Sequence, residues 1–204
     1  DERFARVQKP LSGALEALWQ NSYPDTSQVA RALQEIERVR PWANEVQQEG
    51  LNRWQDKFAT YQKHLERLQQ DSERMAQAAT GPRERLTASL ALLRDLTPGE
   101  LPAGMADAVT QLRQEGERCL DQPDLVQKFA ATPQPPLLQV QQSLIRAWID
   151  DRVQQAQSAR ANSDYARVKE ISEQVERVAA ERRPESLRAL RAHADAVLTK
   201  RAEA

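Results

Sequence analysis

Cysteine occurs once in the 204 residues, at Cys119, so no disulfide can form within the chain, and cysteine usage points to neither an oxidising nor a reducing compartment. Only six glycines are present; they are scattered, and none is followed by the Lys-Ser or Lys-Thr of a phosphate-binding loop. Histidine is as scarce: His64 and His193 stand far apart, and neither belongs to an HExxH or Glu-x-x-His pattern. A zinc hydrolase or a carboxylate-bridged di-iron bundle is therefore without support. Both histidines read as surface residues, and no residue pattern implies a metal or a cofactor. No stretch approaches the ~20 apolar residues of a membrane span.

Charge of one sign is missing too. The formal net charge is -1, which gives no bulk attraction to nucleic acid or to an anionic bilayer. Residues 164–204 carry nine Lys or Arg against eight Asp or Glu, so the balance holds locally as well. Each arginine there has an acidic neighbour within a turn or two, the pattern of a solvated helix face laced with ion pairs.

Catalytic constellations are equally thin. A nucleophilic Cys119 would need a base and a group to orient it. In "GERCLD" it falls beside the apolar stripe of Leu112 and Leu120, where a cysteine serves as a small hydrophobe. Asp150 and Asp151 form a carboxylate pair, but consecutive helix positions point about 100° apart and do not share one target. A polar face or an ion pair to Arg146 or Arg152 is the expectation for them, and the chain is read as non-enzymatic.

What is abundant is helix-forming sequence. Ala, Leu, Glu, Gln and Arg dominate, the aromatics amount to 5%, and the β-branched residues are sparse. The fold class is all-α: a multi-helix bundle with one long coiled-coil-like arm and a C-terminal three-helix unit. A first helix is expected over Leu11 to Gln20. After "NSYPDTS", Asp25, Thr26 or Ser27 can cap a second one carrying Val29, Leu33, Ile36 and Val39 at helical spacing. Pro41 then forces a kink or a tight restart.

The arm follows, over about 42–79 and ~50 Å long at 1.5 Å per residue. Leu51, Trp54, Phe58, Tyr61, Leu65, Leu68 and Met75 alternate at spacings of three and four, interrupted only by Ser72. Rings of this size suit packing among several helices better than a narrow two-stranded seam. Gly81 and Pro82 end the arm, and helices are expected through Leu86 to Leu96, through Met105 to Leu120, and briefly over Asp124 to Phe129.

"ATPQPPLLQ" (Ala131 to Gln139) is the one Pro-rich stretch. It nominally matches a groove-binding polyproline ligand. However, Leu137 and Leu138 start an apolar helix at once, and the charges that flank such ligands are missing, so it reads as a rigid spacer. Residues 1–132 then form an N-terminal helical region containing the arm, 133–136 a Pro-rich seam, and 137–204 the three-helix unit, with Ser163 or Asp164 capping its middle helix and Pro184 opening its last. "RPWANEVQQ" and "RAWIDDRVQQ" look alike, but their flanking breaks do not correspond and no repeat is assigned.

Two functions from different classes fit. The leading one is a helical interaction or scaffolding domain that binds a protein partner or its own parent chain, with Trp42, Trp54, Phe58 and Tyr61 as contact residues because aromatics dominate interface energetics. For Trp54 and Phe58 a core position fits the spacing equally well. Homodimerisation through the Leu51–Met75 seam is a further expectation. Arg in excess of Lys and the opening at Asp1 within a helical pattern (Phe4, Val7) suggest a piece of a larger bacterial-type protein. The rival is a helical accessory of a DNA- or RNA-processing machine, contacting phosphates through Arg160, Arg167, Arg182, Arg183, Arg188 and Arg191.

Overall fold

The structure, a computed structural model, describes residues 2–21, 23–78 and 81–203, with the side chains of residues 2–9 and 21 outside that description. Among the described residues there are nine α-helices and no strand: α1 (Glu2–Asn21), α2 (Thr26–Val39), α3 (Glu45–Ala78), α4 (Pro82–Arg94), α5 (Ala103–Gly116), α6 (Pro123–Ala131), α7 (Leu138–Ala161), α8 (Tyr165–Ala179) and α9 (Glu185–Glu203). The all-α expectation holds. Single 3-10 turns at Arg40–Trp42, Pro98–Glu100, Pro135–Leu137 and Ala180–Arg182 connect several of them. No helix among the described residues is long and apolar enough to cross a membrane.

Local chemistry accounts for several helix ends. Asp25 is the residue that caps α2: its carboxylate accepts from the Gln28 backbone N–H at 2.8 Å, while the Gln28 side chain accepts from the Asp25 N–H at 3.0 Å. The Ser27 hydroxyl adds a third bond at 2.7 Å, and this bond, followed by the Gln28 N–H, holds the Asp25 carboxyl below its ordinary range. Asn44 and Gln47 repeat the reciprocal arrangement at the start of α3, at 3.0 and 2.9 Å. Asp164 caps α8 by accepting from the Arg167 N–H at 3.0 Å. Pro41 does not kink a continuous helix. α2 stops at Val39 and the chain passes through a 3-10 turn before α3, since proline has no N–H to continue the helical ladder. The first helix is longer than the Leu11–Gln20 expectation and contains Pro10 within it.

The chain forms two compact units that interleave along the sequence. The first comprises residues 1–74, 91–113 and 134–139; the second comprises 75–90, 114–133 and 140–204. In the first unit, α1 packs on α2, and Val29, Ile36 and Val39 are buried together with Leu15 and Trp19. The α3 residues Leu51, Phe58, Tyr61, Leu65 and Leu68 are buried as well. Their stripe is thus covered by this same chain, not left free along an arm, because the rings fill space among several helices of one unit. Pro135 and Pro136 border a cavity of about 230 Å³ together with Leu65, Leu68 and Gln69 of α3. Leu137, which follows them, is fully buried.

In the second unit, α8 packs on both α9 and α6. α7 has the broadest buried face, contributing Val140, Leu144, Ile145, Ala147, Trp148 and Ile149. The backbone of Gly116 lies close against this helix: a Cβ placed there would stand 3.4 Å from Leu144 Cδ1 and 3.0 Å from Leu90 Cδ2.

Candidate protein-interaction surface

The four aromatic residues singled out from the sequence separate into different environments. Phe58 and Tyr61 are fully buried and Trp54 is half-buried. All three pack with Trp19 of α1. Trp19 meets Phe58 edge-on at 5.4 Å between ring centres, Tyr61 at 6.2 Å and Trp54 at 6.4 Å, while Trp54 stacks on Phe58 at 5.9 Å. These are the offset and edge-to-face geometries that ring quadrupoles favour. Lys57 closes the outer side of the cluster, its ammonium 4.8 Å from the Trp54 ring centre and 5.4 Å from that of Trp19. Phe58 and Tyr61 are therefore core residues, and the contact role expected of them would require the cluster to open.

Trp42 is different. It is 50% exposed, and Val46, one helical turn further along the chain, is 79% exposed. Pro41 between α2 and α3 is exposed also. These are three apolar residues within six positions, at a corner that is well tied down. Arg40 donates from Nη1 to Asn52 Oδ1 at 2.6 Å and from Nη2 to Gln55 Oε1, and it pairs with Glu37 at 3.2 Å. Gln55 in turn donates to Glu37 at 3.1 Å. The Gln48 amide donates to the Ala43 carbonyl at 3.1 Å, and the Asn44–Gln47 cap fixes the first turn of α3. The two helix ends are thus cross-linked by polar side chains, so that Trp42 is held on a corner of defined geometry.

The arginines of the nucleic-acid reading lie in the second unit, and most of them have acidic partners. Arg167 pairs with Glu170 at 2.6 Å, Arg183 with Glu176 at 3.0 Å and Arg188 with Glu185 at 3.3 Å. Arg191 reaches Glu176 at 2.6 Å and both Glu173 and Asp195 at 3.6 Å, tying α9 to α8. Arg160 and Arg182 make no ion pair among the described residues.

Other chemically suggestive residues are likewise engaged. His64 pairs with Glu100 at 2.9 Å, and the His193 ring packs edge-on against Tyr165 at 5.6 Å between centres. Asp150 and Asp151 part company as helix geometry requires: Asp150 lies 3.5 Å from the buried Arg85, while Asp151 accepts from Gln155 at 2.7 Å and lies 3.8 Å from Arg152. Cys119 is fully buried, and burial pushes its thiol up to about 12, so the thiolate that would act as nucleophile is not formed near neutrality. No group of three or more His, Cys, Asp or Glu that could hold a metal is present among the described residues.

No protein family model matches the chain, and neither curated proteins nor solved structures give a match.

Proposed function

We propose that this protein is a non-catalytic helical interaction domain that binds a partner protein, or a flanking part of its own parent chain, through the corner between α2 and α3. The observation that carries this reading is the exposure of Trp42 on a fixed corner beside Val46, in a chain whose other three tryptophans are half-buried or buried. A half-exposed tryptophan contributes little to the stability of its own fold, yet it is the side chain most often found at the energetic centre of protein interfaces. A pre-ordered corner binds without the entropy cost of arranging itself first. The polar cross-links of Arg40, Asn52 and Gln55 support that role. The binding energy would come from seating the indole and Val46 in an apolar groove of the partner, with Glu45, Gln48 and Glu49 at the rim.

The experiment is photo-crosslinking from a reactive residue placed at position 42 and, in parallel, at the exposed Lys63 of the same unit. A defined adduct formed at 42, absent at 63, and lost in V46D while the melting temperature is unchanged supports the reading. Adducts that are the same from both positions, or that survive V46D, overturn it. Light scattering across a concentration range then separates a second copy of this chain from a different partner.

A further inference from the structure

A cleft of about 550 Å³ in the second unit is lined by Gln142, Arg146, Ile149 and Asp150 of α7 together with Arg182 and Pro184, the residues that lead into α9. Its size falls in the range of small-molecule sites. The spacing of Gln142, Arg146 and Ile149 places them on one face of α7, so one wall of the cleft is built by a single regular element. Ile149 is almost fully buried, which supplies an apolar floor.

The charges are what give this cleft a chemistry. Asp150 follows Arg146 by one turn, the ordinary position for an ion pair along a helix, yet its carboxylate lies 3.5 Å from Arg85, whose side chain is only 6% exposed. The acid is thus committed to a buried cation, and Arg146 makes no ion pair among the described residues. Arg182 is left in the same way. The carboxylate of Glu176 is shared by Arg183 at 3.0 Å and Arg191 at 2.6 Å, and that of Glu185 is taken by Arg188 at 3.3 Å. Two arginines from different elements therefore line one cleft, and neither makes an ion pair among the described residues.

We propose that this cleft binds a small organic dianion, a phosphorylated or dicarboxylate compound, whose two acidic groups are held by Arg146 and Arg182 and whose carbon skeleton rests on Ile149 and Pro184. The planar fork of arginine matches both phosphate and carboxylate oxygens. Gln142 supplies an amide that can donate to a ligand oxygen or accept from a hydroxyl. The cleft is independent of the Trp42 corner, and either assignment can fail without the other.

The test is isothermal titration of the whole chain with inorganic pyrophosphate and, separately, with succinate; the two arms distinguish a phosphate ligand from a carboxylate one. Saturable one-site binding of either anion is expected, weakened by roughly tenfold or more in each of R146Q and R182Q, as befits the loss of a charge-assisted hydrogen bond. Arg160, exposed on the same helix and outside the cleft, serves as the control, and R160Q is expected to leave the affinity unchanged. Absence of saturable binding by both anions, or an equal weakening in R160Q, overturns the proposal. Arg146 and Arg182 are both exposed, so the variants keep the fold, and thermal melting of each verifies it.

Discussion

The hydroxyl of Tyr61, at the centre of α3, donates to the backbone carbonyl of Pro24 at 2.9 Å, tying the buried face of the helix to the turn that precedes α2. Pro24 is itself buried, so no water stands ready to replace the bond. Tyr61→Phe keeps the ring packing and leaves the carbonyl unpaired, and a loss of about 1–2 kcal/mol of stability is expected. Urea denaturation followed by circular dichroism measures it. A change smaller than ~0.3 kcal/mol would mean that the bond contributes nothing beyond what solvent provides.

The same residue makes stability depend on pH at the alkaline end. Burial, and secondly the Asp25 carboxylate, disfavour the phenolate and raise the Tyr61 pKa above its ordinary value. The folded chain therefore holds this proton more tightly than the unfolded chain does. Its contribution is complete below the ordinary phenol value of ~10 and is lost as pH rises above it. In an alkaline titration followed by phenolate absorbance, the Tyr61 step should coincide with loss of helix signal and should be missing in Y61F. Ionisation of Tyr61 while the helix signal stays intact would contradict its burial.

Ser163 offers a stabilising substitution. It sits just past α7 with φ of 59°, the left-handed conformation that a Cβ disfavours. The backbone bonds Asp164 N–H to Ala159 O at 2.9 Å and Ser163 N–H to Arg160 O at 2.9 Å fix it there. Ser163→Gly removes the steric cost and should raise stability by roughly 0.5–1 kcal/mol, seen as a higher melting temperature. A lower melting temperature would show that the turn is held by the serine side chain instead.

Gly116 presents the opposite case. With Leu90 Cδ2 and Leu144 Cδ1 at 3.0 and 3.4 Å from where a Cβ would stand, the two methyl groups of valine have no room. Gly116→Val is expected to destabilise by about 1–3 kcal/mol, and Leu90→Ala in the same chain should recover part of that loss by vacating space. Additive losses in the double variant would mean that the two positions do not meet.

Those tests rest on contacts of very different legibility in the sequence. Asp25, Pro41, Pro82 and Asp164 each mark a helix end because caps and prolines act on backbone groups within about four residues, which a linear reading spans. The three-and-four spacing from Leu51 to Met75 likewise told which face of α3 would be buried, since hydrophobic periodicity and helix geometry share one period. That Trp19 would close the ring cluster was not legible. It stands more than thirty positions before Trp54, and nothing local distinguishes it from any other apolar residue on a helix face.

By itself, then, the sequence determined the helical class, the approximate starts and stops, and the apolar stripe of each helix, all through interactions of short reach along the chain. Only the tertiary structure decided which aromatics are core and which is presented. Trp42 and Phe58 are chemically alike in the sequence, and whether an aromatic side chain is covered depends on what the fold brings over it. The same holds for charge. An alternation of Arg and Glu implies pairing on average, but Asp150 turned to Arg85, sixty-five positions away, and not to Arg146 one turn before it. Which acid a given arginine meets is settled by Coulomb attraction across a few ångströms of folded space, and that choice leaves Arg146 without an ion pair among the described residues.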